Sequence, residues 1–331
     1  MSSPPLLKAD NLTVEFRTDA GVVSAVTDIS FEINPGEVLA VVGESGSGKS
    51  VTALALMRLH PKNTDITGSV VFDGIDVLAL AEDEMRSIRG RDIAMIFQDP
   101  MTALNPVFTV GDQISEAIRV HSVASKREAW DRAVELLQLV GVPEPKRRAA
   151  QHPHEYSGGM RQRAMIAMAI CNDPKLLIAD EPTTALDVTV QAQVMEVLHD
   201  VQQATGSAMM LITHDLGLVA GSADRVQVMY ASRLMETGDL DAIFYESRNP
   251  YTIALLNSIP DLEGVKNSLE AIPGNPPSLL NPPSGCAFRP RCLHAIDLCA
   301  EVEPPVVAVG EDHGSRCHRT ADVAVHVGVV S

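Results

Sequence analysis

A short stretch near residue 45 combines glycines with a lysine and a hydroxyl side chain. Residues Gly43–Ser50 read G-E-S-G-S-G-K-S and fit the pattern G-x-x-x-x-G-K-[ST]. Glycines in such a loop let backbone N–H groups turn inward around a phosphate chain. The pattern predicts that Lys49 contacts the β- and γ-phosphates of a nucleotide and that Ser50 binds Mg²⁺. We expect the whole loop to bind the nucleotide: Gly43, Glu44, Ser45, Gly46, Ser47, Gly48, Lys49 and Ser50.

The residues on either side of this loop have the composition of a strand and a helix. The apolar run 38–42 precedes the loop, and the helix-forming run 51–59 follows it. A helix that begins at the loop directs the positive end of its dipole at the same phosphates. This context favours a phosphate-binding loop over a glycine-rich turn without a ligand.

Two adjacent acidic residues follow a second apolar run. Residues 176–179 predict a buried strand that ends on Asp180 and Glu181. Carboxylates at the end of a buried strand are costly unless a cation is present, so this is a Walker B pattern. Asp180 is expected to hold Mg²⁺, directly or through water, and Glu181 to orient or deprotonate the attacking water. Together with the lysine loop, the pair is more specific than either motif alone.

Two single side chains have a functional and a structural interpretation. His214 follows the apolar run 209–212, and we expect it to lie at the same sheet edge as Asp180 and to sense the γ-phosphate. The alternative is a structural histidine. Phe16 lies in an alternating segment, where its ring would either stack on a purine or belong to the core. Both interpretations of Phe16 stay open.

The remaining patterns predict the elements that carry these residues. Alternation at 12–16 and 29–33 predicts an antiparallel sheet, and residues 101–106 predict a loop because they are rich in helix breakers. From there to about residue 150 the pattern is helical, with a capping box at Ser125-x-x-Glu128. Another helix opens at Ser157, with its methionines and Cys171 expected in the core.

Composition limits the class of protein. The chain has 331 residues, a net charge of −17 and a sequence pI near 4.9, which argue against a broad nucleic-acid footprint. Its N-terminus lacks the pattern of a signal peptide, and no window approaches 18 uninterrupted apolar residues. We therefore expect a soluble, cytoplasmic polypeptide of two or three structural units.

In their order along the chain, these motifs resemble those of the ATP-binding subunit of an ABC transporter. The resemblance implies that Gln98 is the Q-loop glutamine, which touches Mg²⁺ and the water and relays contact with the membrane subunits. It also implies that Ser157, Gly158 and Gly159 form the signature loop. Asp187 corresponds to the D-loop aspartate and His214 to the switch histidine.

The signature loop departs from its usual wording. It reads Tyr-Ser-Gly-Gly-Met, with Tyr156 and Met160 where the usual form has leucine and glutamine. The serine and both glycines are intact, so the match is weakened little. Residues 97–106 and 249–252 resemble more narrowly the dipeptide, oligopeptide and nickel importer subclass, as does the tail.

The resemblance implies an α/β fold of several parts. These are a P-loop NTPase (RecA-like) core with an antiparallel β subdomain, a helical signature subdomain and a Cys-rich C-terminal appendage. We expect residues 1–97 to form the first part of the nucleotide-binding core and 98–165 the Q-loop and helical signature subdomain. Residues 166–245 would complete the core, and 246–331 would form a Pro- and Cys-rich C-terminal domain.

The resemblance also implies a working assembly. Two such subunits pack head to tail, and each ATP lies between the phosphate loop of one and the signature loop of the other. The expected partners are a second ATPase subunit in a heterodimer, two transmembrane permeases and an extracytoplasmic peptide-binding protein, with no nucleic acid. The chain would then be peripheral, on the cytoplasmic face of the cell membrane.

The expected function is ATP hydrolysis that energises import of dipeptides or oligopeptides. One alternative is import of nickel or another peptide-like substrate. A second is a soluble ABC ATPase of DNA repair or translation, although this chain lacks the coiled-coil insertion, tandem ATPase domains or basic surface usual there. A third is a regulatory iron–sulfur or zinc module with a vestigial nucleotide site, which the intact Lys49, Asp180, Glu181 and His214 disfavour.

Cysteines crowd the C-terminal, proline-rich end of the chain, which we expect to be a separate appendage. Cys286, Cys292, Cys299 and Cys317 are separated by five, six and seventeen residues. In a cytosolic chain this predicts a metal site before disulfides. The spacing fits zinc loosely, whereas a [4Fe–4S] cluster tolerates it, and the resemblance also implies a cluster. We expect [4Fe–4S], with Zn²⁺ and then free thiols as alternatives.

Overall fold

The computed structural model describes residues 4–184, 186–258 and 272–324. The chain divides into two compact units whose segments alternate along the sequence. The first unit consists of Met1–Leu6, Ile33–Val38 and Asp73–Ile212, and the second of Leu7–Glu32, Leu39–Phe72 and Thr213–Ser331. Each unit is therefore assembled from segments that are distant in the sequence. Within the described ranges, no helix has both the length and the apolar character needed to span a bilayer.

The elements follow one another in three stretches of the chain. The N-terminal stretch contains β1 (Leu7–Thr18), β2 (Gly21–Ile33), β3 (Val38–Val42), α1 (Lys49–Leu56), β4 (Thr64–Phe72) and β5 (Ile75–Asp76). The middle stretch contains α2 (Glu82–Ile88), β6 (Ile93–Ile96), α3 (Pro100–Ala103), α4 (Val110–His121), α5 (Lys126–Leu139), α6 (Pro145–Ala149), α7 (Gly158–Ala169), β7 (Leu176–Asp180), α8 (Val188–Thr205) and β8 (Ala208–Thr213). The C-terminal stretch contains β9 (Arg225–Tyr230), β10 (Arg233–Asp239), α9 (Leu240–Tyr245), α10 (Pro250–Asn257), α11 (Leu298–Glu301), β11 (Val306–Gly310) and β12 (His313–Arg316).

The first unit is built around three parallel strands. β7 pairs with β6 on one side and with β8 on the other, so that Leu176 lies opposite both Ile93 and Ala208. All three strands are buried along their length, as expected when both faces of a parallel sheet are covered. Because β6 and β7 run in the same direction, the residues that follow Ile96 and Asp180 emerge at one edge of the sheet.

Helices α4 to α8 pack their apolar side chains into one core cluster with these strands. The predicted capping box at the start of α5 is confirmed, because Ser125 Oγ accepts from the Glu128 N–H at 3.3 Å and Glu128 Oε2 accepts from the Ser125 N–H at 2.8 Å. Cys171 lies in the same core, and burial raises the pKa of its thiol to about 12. The interpretation of Cys171 as a core residue is confirmed.

The loop predicted at 101–106 begins with a short helix instead. Asp99 is the N-cap of α3, and its Oδ1 accepts from the Met101 N–H at 2.8 Å. Pro100 occupies the first helical position, where the missing N–H costs nothing and the fixed φ suits a helix. Pro100 therefore begins a short helix that the pattern of residues 101–106 does not predict.

The second unit contains the predicted antiparallel sheet and the strand before the phosphate loop. β1 pairs antiparallel with β4 and has β2 on its other side, as the alternating pattern predicts. β9 lies between β3, to which it is parallel, and β10, to which it is antiparallel. β10 in turn pairs with β12, and β12 with β11.

The C-terminal tail is anchored in the second unit rather than standing apart as expected. β12 pairs with β10, and the buried carboxylate of Glu236 on β10 holds the tail in place. That carboxylate accepts from Ser247 Oγ and from the Arg248 N–H, both at 2.6 Å, and lies 3.0 Å from His313 Nε2 on β12. Composition gave no sign of this pairing because the partners are far apart in sequence.

Candidate active site

The phosphate loop of the second unit connects β3 to α1, as the sequence predicts. Gly43 and Gly48 have φ angles of 154° and 107°, which side chains disfavour. A Cβ on Gly43 would lie 2.1 Å from the carbonyl oxygen of Met229, and one on Gly48 would lie 2.4 Å from that of Ala25. The loop therefore lies so close to neighbouring backbone that only glycine fits at both positions.

Three features of this loop fit it to a phosphate. Lys49 is 4% exposed, and its Nζ donates to the carbonyl oxygens of Gly43 at 2.7 Å and Glu44 at 3.1 Å. Ser47 Oγ is buried and has no hydrogen-bond partner within the described part of the chain. Helix α1 has Gly48 as its N-cap, so no side chain caps its first N–H groups. A buried cation, an unsatisfied hydroxyl and an uncapped helix start all complement an anion.

Phe16 lies on β1 of the same unit. It is opposite Thr64 in the ladder with β4 and is half-buried. Its ring meets His60 edge-on, with centroids 6.3 Å apart, and burial lowers the pKa of His60, so the imidazole is neutral at neutral pH. A purine-stacking role for Phe16 stays a prediction.

The first unit brings together two predicted residues, Gln98 and Glu181. Oε2 of Glu181 accepts from Gln98 Nε2 at 3.0 Å and from Thr184 Oγ1 at 2.7 Å. Glu181 has a left-handed φ of 46°, and its N–H donates to the carbonyl oxygen of Ile212 at 2.9 Å. A left-handed conformation costs a non-glycine residue about 1 kcal/mol. The backbone of Glu181 is therefore strained, and these contacts hold the residue in that conformation.

Thr184 was missed at the sequence level, although a hydroxyl three residues after an acid in a turn is a usable signal. Asp180 is the last residue of β7 and is 5% exposed. The hydroxyl of Ser50, the carboxylate of Asp180 and the amide oxygen of Gln98 are all oxygen donors of the kind that Mg²⁺ prefers. The residue types expected to hold the ion thus fit its chemistry.

The predicted signature residues form the start of α7. Ser157 is its N-cap and accepts from the Met160 N–H at 3.3 Å, while Ser157 and Gly158 are exposed. A Cβ on Gly159 would lie 3.0 Å from Val190 Cγ1 on α8, so the glycine permits close packing of these helices. An exposed helix start offers N–H groups to an anion. Nucleotide binding by this segment stays a prediction.

Arg161 on α7 connects this helix to its surroundings. Its Nε donates to the carbonyl oxygen of Pro153 at 2.8 Å, and its Nη1 lies 2.9 Å from Met101 Sδ on α3. The start of the signature helix is thus tied to the helix that follows Gln98.

The other two predicted residues lie at element ends. Asp187 is exposed and caps α8, because its Oδ1 accepts from the Val190 N–H at 3.1 Å. His214 is exposed and directly follows β8. The next N–H, that of Asp215, donates to Thr213 Oγ1 at 3.0 Å and fixes this turn. Roles for Asp187 and His214 at a nucleotide stay predictions.

The predicted [4Fe–4S] cluster, and its zinc alternative, are wrong. All four tail cysteines are free thiols and line one small cavity: Cys286, Cys292, Cys299 and Cys317. Within residues 4–184, 186–258 and 272–324, however, no group of three or more His, Cys, Asp or Glu side chains could hold a metal ion. Burial raises the pKa of Cys286 and Cys292, and that of Cys317 to about 11, so these thiols are neutral at neutral pH. The closeness of the four cysteines in the sequence does not correspond to a set of metal ligands in the fold.

Comparisons with known proteins match this chain to ATP-binding proteins of transporters. A family model described as ABC transporter matches residues 26–184, and one described as oligopeptide/dipeptide transporter, C-terminal region, matches residues 235–299. A putative peptide import ATP-binding protein of Brucella abortus is 50% identical over 337 residues, covering 98% of this chain and all of that protein. The oligopeptide transport ATP-binding protein OppD of Bacillus subtilis is 52% identical over 311 residues, covering 93% of this chain and 87% of that protein.

Among solved structures, the dimeric ATP-binding cassette MJ0796, in a post-hydrolysis state bound to ADP and Pi, superimposes with a TM-score of 0.64. It is 28% identical in sequence, and the alignment covers 71% of this chain and 98% of that one. Over that part of the chain, the fold is therefore shared with a solved ATP-binding cassette.

Proposed function

Because this chain belongs to the ABC transporter ATP-binding family, we propose that it is the ATP-hydrolysing subunit of an importer of dipeptides or oligopeptides. The observation that carries the proposal is the carboxylate of Glu181, which Gln98 and Thr184 hold directly after the buried Asp180. An immobilised carboxylate beside a cation-binding position is what orientation of an attacking water requires. The peptide substrate is supported by the relatives and by the match of the C-terminal region.

The phosphate loop supplies nucleotide binding in this proposal. Lys49 exchanges the carbonyl oxygens of Gly43 and Glu44 for phosphate oxygens, and the Ser47 hydroxyl gains the partner it lacks. Phe16 stacks on the adenine. The helix start at α1 adds its dipole to the same attraction.

Hydrolysis depends on the residues that follow β7 and β8. Glu181 orients the water and accepts its proton, Gln98 fixes the carboxylate, and His214 contacts the γ-phosphate. Mg²⁺, when bound by Ser50, Asp180 and Gln98, neutralises charge on the phosphates. Since Glu181 is pre-positioned, little reorganisation precedes attack.

The remaining predicted residues act on a second subunit. We propose that Ser157, Gly158, Gly159 and Asp187 contact the ATP bound by a partner ATPase, in a heterodimer that closes with ATP and opens after hydrolysis. The exposure of Ser157, Gly158 and Asp187 supports this. Two permeases and an extracytoplasmic peptide-binding protein complete the importer, with the chain on the cytoplasmic face. The four segments 1–97, 98–165, 166–245 and 246–331 remain our proposed functional divisions.

The hydrolytic role is tested by Glu181→Gln. The variant should bind MgATP with the affinity of the unaltered chain and hydrolyse it at least about 100-fold more slowly, since an amide cannot accept the proton. Glu196→Gln on the exposed side of α8 is the matched control and should retain full activity. Hydrolysis by the Glu181 variant at the parental rate would show that the water-orienting role is wrong.

The substrate is tested in proteoliposomes that contain the complete importer with its permeases and binding protein. We expect ATP-dependent uptake of labelled di- or oligopeptides and a rise in ATP hydrolysis when peptide is supplied. Uptake of Ni²⁺ without peptide uptake would replace the peptide assignment with the nickel alternative.

A further inference from the structure

Glu44, the second residue of the phosphate loop, places a negative charge in a loop that binds an anion. A carboxylate there repels phosphate unless it is compensated. The compensation comes from the C-terminal tail, 247 residues later, where Arg291 forms a two-pronged ion pair with Glu44. Nη1 of Arg291 lies 2.7 Å from Oε2, and Nη2 lies 3.0 Å from Oε1. This paired geometry is the strongest that arginine and a carboxylate form.

The guanidinium of Arg291 is fixed on every side. Its Nε donates to the carbonyl oxygen of Pro273 at 2.8 Å, Nη1 also to Tyr230 OH at 3.2 Å, and Nη2 also to the carbonyl oxygen of Ile272 at 3.3 Å. All five N–H donors are therefore used, and the side chain is only 6% exposed. The guanidinium carbon also lies 5.7 Å from the centroid of the Tyr230 ring. A lysine could not replace this planar set of donors.

The backbone of Glu44 is held as well. Its N–H donates to Tyr251 OH at 3.0 Å, and its carbonyl oxygen accepts from Lys49 Nζ at 3.1 Å. Tyr251 is fully buried and packs against Tyr230 and Phe288, with ring centroids 4.5 and 5.2 Å apart. Residues from β9, α10 and the tail thus fix one loop residue through its side chain and its amide.

We infer that Arg291 is a positioning residue of the phosphate loop and the counter-charge of Glu44, so that ATP affinity depends on the C-terminal region. The inference rests on the proposed binding of ATP by this loop. Without Arg291, the Glu44 carboxylate faces the incoming phosphates uncompensated, and binding weakens. Turnover of bound ATP changes little, because Glu181 and its partners lie in the other unit.

The test is Arg291→Gln in the full chain, with MgATP affinity measured by calorimetry and KM and kcat measured by phosphate release. We expect Kd and KM to rise about tenfold while kcat stays within about twofold, as loss of one nearby counter-charge predicts. Arg289→Gln is the matched control, because Arg289 lies in the same turn and donates to Ser284 rather than to the loop. It should bind MgATP like the unaltered chain.

Two further variants separate charge from folding. Glu44→Gln alone should bind MgATP at least as tightly as the unaltered chain, since it leaves the positive charge unopposed. Glu44→Gln combined with Arg291→Gln should recover most of the lost affinity, because a neutral amide needs no counter-charge. Unchanged affinity in Arg291→Gln, or a double variant as weak as the single one, would overturn the inference. An unaltered chain that binds no MgATP would overturn the proposed function as well, which distinguishes the two failures.

Discussion

At the scale of single residues, the chemical type of Glu181 and its conformation are determined by different features of the chain. Its residue type and its place after a buried strand follow from sequence, whereas its left-handed backbone and its contact with Thr184 do not. Both hydrogen bonds reach the same oxygen, Oε2, from Gln98 and Thr184.

Removal of the Thr184 hydroxyl should slow hydrolysis without weakening ATP binding. Thr184→Val keeps the shape of the side chain but loses the hydrogen bond to Glu181, and we expect kcat to fall about tenfold, the cost of one bond to a charged group. The measurement is steady-state phosphate release beside MgATP affinity. Thr189→Val in the exposed first turn of α8 is the control and should keep the parental kcat. A Thr184 variant with parental kcat would show that the Thr184 hydroxyl does not position the carboxylate.

At the scale of elements, the tail is integrated by hydrogen bonds that β10 supplies. The carboxylate of Glu236 is 1% exposed and satisfies Ser247, the Arg248 N–H and His313 together. Loss of this acceptor leaves several buried donors without a hydrogen-bond partner at the same time.

Glu236→Ala should therefore lower the free energy of unfolding by about 3 kcal/mol. Urea denaturation followed by circular dichroism measures the change. Glu246→Ala, at an exposed position just after α9, is the control, and we expect a change within about 0.5 kcal/mol. A loss below about 1 kcal/mol in the Glu236 variant would show that β12 is held by packing instead.

The elements also show what could be predicted from sequence. Strand β7, the capping box of α5 and the strand–loop–helix order around residues 43–50 are local patterns, and each is confirmed. Helix α3 was missed because the breaker-rich residues 101–106 indicated a loop, while Pro100 was not recognised as a first helical residue. The contact of Arg291 with Glu44 could not be predicted, since it depends on the tertiary fold. The prediction of a metal cluster was wrong because the spacing of the cysteines in the sequence says nothing about their burial or their geometry in the fold.

At the scale of the whole molecule, two features dominate. The two compact units interleave along the chain, so neither corresponds to one continuous segment. The net charge of −17 disfavours the binding of polyanions. An anion such as ATP can bind only where a dedicated loop provides the contacts for it. ATP binding therefore depends on local geometry.

This net negative charge predicts that the chain does not bind nucleic acid. Fluorescence anisotropy with labelled duplex DNA and with single-stranded RNA should show no saturable binding at physiological salt, and neither should change the rate of ATP hydrolysis. A basic DNA-binding domain in the same buffer serves as the positive control. Stimulation of hydrolysis by RNA or DNA would favour the alternative of a repair or translation ATPase.

The distance in sequence between Glu44 and Arg291 has a consequence for biosynthesis. The ribosome completes the phosphate loop long before it adds the arginine that neutralises it. A nascent or prematurely terminated chain carries the loop with an unbalanced carboxylate and a looser Glu44 amide. Under our inference, only a finished polypeptide gains full ATP affinity, so incomplete translation products compete poorly for nucleotide.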